Sequence, residues 1–245
     1  MEKIFFYMMM AAVVLTTACN SDKDNEHEIE IVPGPNQMIM TTKQSTVNVS
    51  LIGPGEVTID WGDNTEIENS TLLQGIVYQT FTHNYSVSSI HTIIITGKNI
   101  TRMKCFYNEL SKLDISQNKA LLWLECDNNQ LESLDISHNT ELSTLYCNMN
   151  QLKNLDVSGN IELVQMDCSN NQLLKLDFSK NPNLVAMACN YNELSSEALN
   201  AMFETLHNNI HPRIPLKIVH VGNNPGTDDC DISIAVNKGW AVTKY

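Results

Sequence analysis

Cys105, Cys126, Cys147, Cys168 and Cys189 follow one another at a constant interval of 21 residues, and the residues around them keep the same step. Five positions before each cysteine stands Ile100, Leu121, Leu142, Leu163 or Leu184; two before stands Met103, Leu124, Leu145, Met166 or Met187. Three after come Asn108, Asn129, Asn150, Asn171 and Asn192, and five after come Leu110, Leu131, Leu152, Leu173 and Leu194. The other half of each unit is equally regular. LDIS, LDIS, LDVS and LDFS begin at Leu113, Leu134, Leu155 and Leu176, and Asn118, Asn139, Asn160 and Asn181 follow them. A fixed period of this length marks a solenoid: one turn cannot bury its apolar face alone, whereas stacked turns share a continuous core.

The slots can be assigned physically. LxC forms a short strand in a parallel sheet, with rungs about 4.8 Å apart, and its Leu or Met and the Cys point inward. The Asn bonds backbone groups in the bend. The LD(I/V/F)S half returns the chain along the opposite side, its Ile, Val or Phe facing in while Asp and Ser meet the bonding needs of a turn. Asp114, Asp135, Asp156 and Asp177 are therefore structural on this reading, with a calcium ladder as the alternative. The pattern LxxLxCxxNxL over residues 100–194 resembles the leucine-rich repeat. With LxxLD(I/V/F)SxN in each second half, it is similar to the short repeat of bacterial surface lipoproteins.

A row of thiols in an exported chain raises three possibilities: disulfides, a metal site, or packing. Side chains stacked in one row point the same way rather than toward one another, and an odd set of five cannot pair fully. Zinc needs ligands converging from several directions. The ladder Cys105, Cys126, Cys147, Cys168 and Cys189 is accordingly expected to be buried and reduced, a small apolar filling.

Positions flanking the inward residues define the exposed strand face, expected to be the concave side. They include Arg102, Lys104 and Phe106; Trp123, Glu125 and Asp127; Thr144, Tyr146 and Asn148; and Gln165, Asp167 and Ser169. Aromatics beside acids are typical of binding surfaces. Arg102, Lys104, Phe106, Trp123, Glu125, Asp127, Tyr146, Asn148 and Asp167 are the candidate binding residues, for a protein or glycan ligand.

The first stretch, MEKIFFYMMMAAVVLTTAC, has one Lys, an apolar run too short to span a membrane, and small residues before Cys19. It resembles a bacterial lipoprotein signal over residues 1–18, which implies lipidation of Cys19. The polar, acidic NSDKDNEHEIE that follows is expected to be part of a flexible tether, residues 19–35. The implied location is the bacterial outer membrane, lipid-anchored and facing out.

Between 36 and 98 the period changes to two. MIMTT, TVNVSLI, EVTIDW, GIVYQTFTH and HTIIITG are short β-branched or aromatic runs parted by turn residues, which predicts an antiparallel sandwich. VTIDWGDN followed by FTHNYS resembles the PKD domain, an immunoglobulin-like module, through Trp61, Gly62, Asp63, His83 and Tyr85; Asn64 replaces the glycine of the family motif. Asp60, Asp63 and His83 are expected to shape turns rather than to hold a metal. Beyond 194, LSSEALNAMFETLHNN predicts a helix capped by Ser195 or Ser196, followed by a strand, a short helix and a last strand, a cap over residues 195–245 that packs Cys230 and Trp240.

The fold class expected is thus mainly β: an immunoglobulin-like (PKD-like) sandwich, a leucine-rich-repeat solenoid over 99–194, and a mixed α/β cap. The net charge of −13 excludes a phosphate-backbone partner, so no nucleic acid is expected. GxSxG, phosphate loops, HExxH and CxxC are absent, so neither an enzyme nor a cofactor is expected. A monomeric binding protein is the first expectation; a structural spacer in an outer-membrane complex, with no soluble ligand, is the alternative.

Overall fold

The computed structural model describes residues 31–87, 89–209 and 216–245. The signal, Cys19 and nearly all of the tether lie outside the described residues. Six strands come first: β1 (Gln37–Thr42), β2 (Thr46–Ile52), β3 (Gly55–Asp60), β4 (Glu68–Leu72), β5 (Gln79–Asn84) and β6 (His91–Thr96). They lie in two antiparallel sheets, β4-β3-β6-β1 and β2-β5. Alternation drives them together: Val47, Val49 and Leu51 of β2 and Ile93 and Ile95 of β6 are buried, as are Val57, Ile59 and Trp61. The β3–β4 turn needs its glycine. Gly62 has φ +76°, and a Cβ there would lie 2.2 Å from the carbonyl oxygen of Thr92.

The repeats begin with β7 (Arg102–Lys104) and β8 (Lys112–Asp114) and continue as β9 (Trp123–Glu125), β10 (Thr144–Tyr146), β11 (Gln165–Asp167) and β12 (Ala186–Ala188). β7, β9, β10, β11 and β12 are parallel and in strict register, so Met103, Leu124, Leu145, Met166 and Met187 stack as one column. The five ladder cysteines are buried and free. On the return side Ile115, Ile136, Val157 and Phe178 are buried. Asp114, Asp135, Asp156 and Asp177 each accept the backbone N–H of the serine two residues on, at 2.8 to 2.9 Å. The result is a β-solenoid of stacked coils resembling leucine-rich repeats.

Both N-terminal sheets run on into this solenoid. β2 pairs antiparallel with β7, Leu51 opposite Met103, and β1 pairs antiparallel with β8, Met40 opposite Leu113. Buried side chains from Met38 to Trp240 accordingly form one core cluster. At the far end the coil is closed by α1 (Ser196–Thr205), β13 (Lys217–His220), α2 (Ser233–Val236) and β14 (Trp240–Thr243). Ser195 caps α1, its side chain accepting the Ala198 N–H at 3.2 Å. Leu199, Met202 and Phe203 of α1, with Trp240 and Cys230, are buried over the last coil.

Two expectations about strands differ from the structure. The run Gly75–His83 is strand only from Gln79 on; Ile76 and Val77 are 82% and 81% exposed. Opposite them β2 has already turned away after Ile52, so these residues have no neighbour to pair with. β4 is an edge strand of polar residues, ENSTL, held by its ladder to β3 rather than by an apolar face.

Candidate functional site

On each rung the residues either side of the inward Leu or Met point out of the sheet. Register places them in two rows. One runs Arg102, Trp123, Thr144, Gln165, Ala186; the other runs Lys104, Glu125, Tyr146, Asp167, Ala188. The rows continue onto β2, where Ile52 faces Arg102 and Ser50 faces Lys104. On β2 and β5 the outward residues are hydroxyl and amide side chains hydrogen-bonded across the strands, Ser50 to Thr80 and Thr82 to Asn48.

The structure brings Arg102, Lys104, Trp123, Glu125 and Tyr146 into one connected cluster. Trp123 donates from Nε1 to Glu125 Oε1 at 2.7 Å, and the Lys104 ammonium lies 3.1 Å from the same oxygen. The Arg102 guanidinium sits over the Trp123 ring at 5.2 Å, and Tyr146 meets that ring edge-on at 5.7 Å. Cation–π contact and a charge-assisted hydrogen bond thus hold both faces and the polar edge of Trp123, a preorganised platform rather than a loose side chain.

A further member was not foreseen. Tyr78, just before β5, lies under the Lys104 ammonium at 4.4 Å to the ring centroid. No repeat register points to it, because it reaches the face only through the pairing of β5 with β2 and β2 with β7. Its phenol is raised above the usual tyrosine range by burial and by the Glu125 carboxylate, with Lys104 opposing. Burial also raises Tyr146, helped by Glu125 and Asp167. Burial is again the first cause that raises Asp127, and the carboxylates of Glu125 and Asp167 add to it.

Other expected members stand apart. Phe106 is exposed but rests edge-on against Tyr107, not against Trp123. Asn148 contributes its backbone carbonyl to the N–H of Asn128. Asp167 accepts the N–H of Ser169 at 2.8 Å, and Asp127 accepts from the Asn128 amide at 2.7 Å. Thr144, expected on the exposed face, is 5% exposed, and Ser169 is also buried. Thr144 is short and flanked in register by the longer Trp123 and Gln165. Beyond β11 the face is smooth, ending in Ala186 and Ala188.

In the N-terminal sheets, His83 bonds Asp63 at 2.8 Å and stacks on Trp61 at 4.9 Å, while Tyr85 donates to the Trp61 carbonyl at 2.7 Å. Thr65 holds Asp63 by both its backbone N–H and its hydroxyl, and Asp60 accepts the Gly62 N–H. These contacts fix a turn. Among the described residues no group of three or more His, Cys, Asp or Glu side chains converges as metal ligands, and no helix is long and apolar enough to cross a membrane.

No protein-family model matches the sequence, and a search of curated proteins returned no match. Among solved structures, the chain is similar to the functional domain of InlJ from Listeria monocytogenes, described as including a cysteine ladder. Sequence identity is 27%, TM-score 0.45, and the match covers 58% of this chain and 31% of that one. It is also similar to internalin C2 from Listeria monocytogenes, at 20% identity and TM-score 0.46, over 58% of this chain and 60% of that one. The chain thus spans less than two thirds of either structure.

Proposed function

We propose that this chain is a non-catalytic lipoprotein of the bacterial cell surface that docks a protein or glycan on its strand face. The single observation supporting the reading is the platform at Trp123. Tyr78, Arg102, Lys104, Glu125 and Tyr146 hold one another in place on an open sheet face. Aromatic and arginine anchors of this kind carry most of the energy at protein interfaces. In this reading a lipid on Cys19 anchors the chain to the outer membrane, and residues 19–35 tether it. Residues 36–98 act as a PKD-like module, residues 99–194 carry the repeats and residues 195–245 close them, in a monomer. The turn built by Trp61, Asp63, His83 and Tyr85 supports the PKD-like likeness.

The test is binding of the purified protein to a glycan array and to a panel of host surface proteins, repeated with the double substitution Trp123→Ala, Tyr146→Ala. Capture is expected to disappear while the melting temperature barely moves, since surface changes cost about 0.5 kcal/mol or less. Unaltered capture by the folded double variant overturns the docking role. Silence on both panels favours a spacer in an outer-membrane assembly.

A further inference from the structure

The docking reading leaves the chemistry of the partner open, and the centre of the face narrows it. Strict register places Tyr146 with Glu125 on one side and Asp167 on the other. Asp127 lies two residues along the chain from Glu125, and the fields of Glu125 and Asp167 both reach it. Glu125 is paired with Lys104. Among the described residues no lysine or arginine forms an ion pair with Asp127 or Asp167. Like charges on a partly desolvated sheet repel, and a cation placed among them relieves that repulsion.

One rung away the molecule shows such an arrangement with its cation in place. The Lys104 ammonium lies over the Tyr78 ring at 4.4 Å and beside the Glu125 carboxylate at 3.1 Å. Tyr146, flanked by Glu125 and Asp167, repeats that combination of tyrosine and carboxylate. Leu73, Ile76 and Val77 stand exposed in the connection that leads directly into Tyr78, and so supply apolar contact at the border of the same face. A free polyamine has no use for that border, whereas a protein segment with apolar residues beside a basic one fits both parts.

We infer that the partner is a protein segment presenting an arginine or lysine, which docks over Tyr146 between Glu125 and Asp167 with apolar residues against the 73–77 connection. This rests on the docking reading above. The cation exchanges its hydration for a ring face and two carboxylates, the interaction the chain already makes for Lys104.

The experiment is calorimetric titration of the full chain with a leucine-flanked arginine peptide and with the same peptide carrying citrulline, which keeps the shape but removes the charge. The arginine peptide is expected to bind and its citrulline counterpart to bind at least about tenfold more weakly, as for loss of one desolvated charge contact. Asp167→Asn keeps the acceptor for Ser169 and is expected to weaken the arginine peptide to a similar degree; Leu73→Ser with Val77→Ser is expected to weaken both peptides. Glu132→Gln with Glu141→Gln, which removes more charge away from the face, is expected to change nothing. Equal binding of the two peptides, equal loss in the Glu132/Glu141 control, or no arginine-peptide binding at all overturns the inference. If a glycan is then captured in a Trp123-dependent way, the docking reading stands and only the cationic partner is lost.

Discussion

Asn150 accepts the backbone N–H of Leu131 through its Oδ1 at 3.0 Å, and so ties its own coil to the one before. Its Nδ2 donates to the carbonyls of Cys126 and Cys147, at 3.0 and 3.1 Å. Asn129, Asn171 and Asn192 repeat the pattern, and Asn224 carries it into the cap. Since each buried polar group left without a partner costs about 1–3 kcal/mol, Asn150→Ala is expected to destabilise the chain by about 3 kcal/mol or more. Asn150→Asp should not rescue it, because the two carbonyls lose their donor. Urea denaturation of both variants checks this; a loss below about 1 kcal/mol would remove the ladder from the energetic account.

The residue two after each ladder cysteine has left-handed backbone, with φ between 52° and 54° at Tyr107, Asn128, Met149, Asn170 and Tyr191. Asparagine tolerates this conformation and longer side chains do not. Met149 is half-exposed, so little packing is lost on replacing it. Met149→Asn is therefore expected to stabilise the fold by about 0.5–1 kcal/mol, read as a higher denaturation midpoint at unchanged slope.

Burial pushes every ladder thiol up, Cys189 to about 12 and the others further. The thiolate is the reactive form. Native protein at neutral pH is expected to leave Cys105, Cys126, Cys147, Cys168 and Cys189 unalkylated by N-ethylmaleimide while the denatured chain labels fully. Peptide mass spectrometry reads the sites. Prompt labelling of any of the five in folded protein contradicts the burial.

The Thr65 hydroxyl first, and then His83, hold the Asp63 carboxylate down to about 2, below its ordinary value near 3.8. A depressed folded-state value means stability that is present above the unfolded value and lost as pH falls through the folded one. The contribution of Asp63 should therefore fade between about pH 4 and pH 2. Asp63→Asn is expected to flatten that part of the stability profile; an acid limb identical to that of the parent chain rejects the assignment.

The solenoid was readable because each coil touches only its neighbours, so a local period carries the whole packing scheme. Leu124, Cys126, Asn129 and Leu131 each occupy the slot their spacing assigns. Trp123, Glu125 and Tyr146 emerged as face residues by the same rule. Tyr78 did not, because its place depends on two antiparallel pairings across a long sequence separation, which no local pattern encodes. Ile76 and Val77 mislead for a related reason. Their β-branched run has strand propensity, but the partner strand ends at Ile52. Thr144 shows the limit within the repeats, where two longer neighbours in register bury a short outward residue.

The shared sheets have a mechanical consequence. β1 is flanked on both sides, by six register pairs to β6 and three to β8. A pull applied at its N-terminal end runs along the strand and loads both ladders together in shear instead of peeling one bond at a time. Tension from a tether would thus enter the first coil directly, with no slack joint between anchor and binding face.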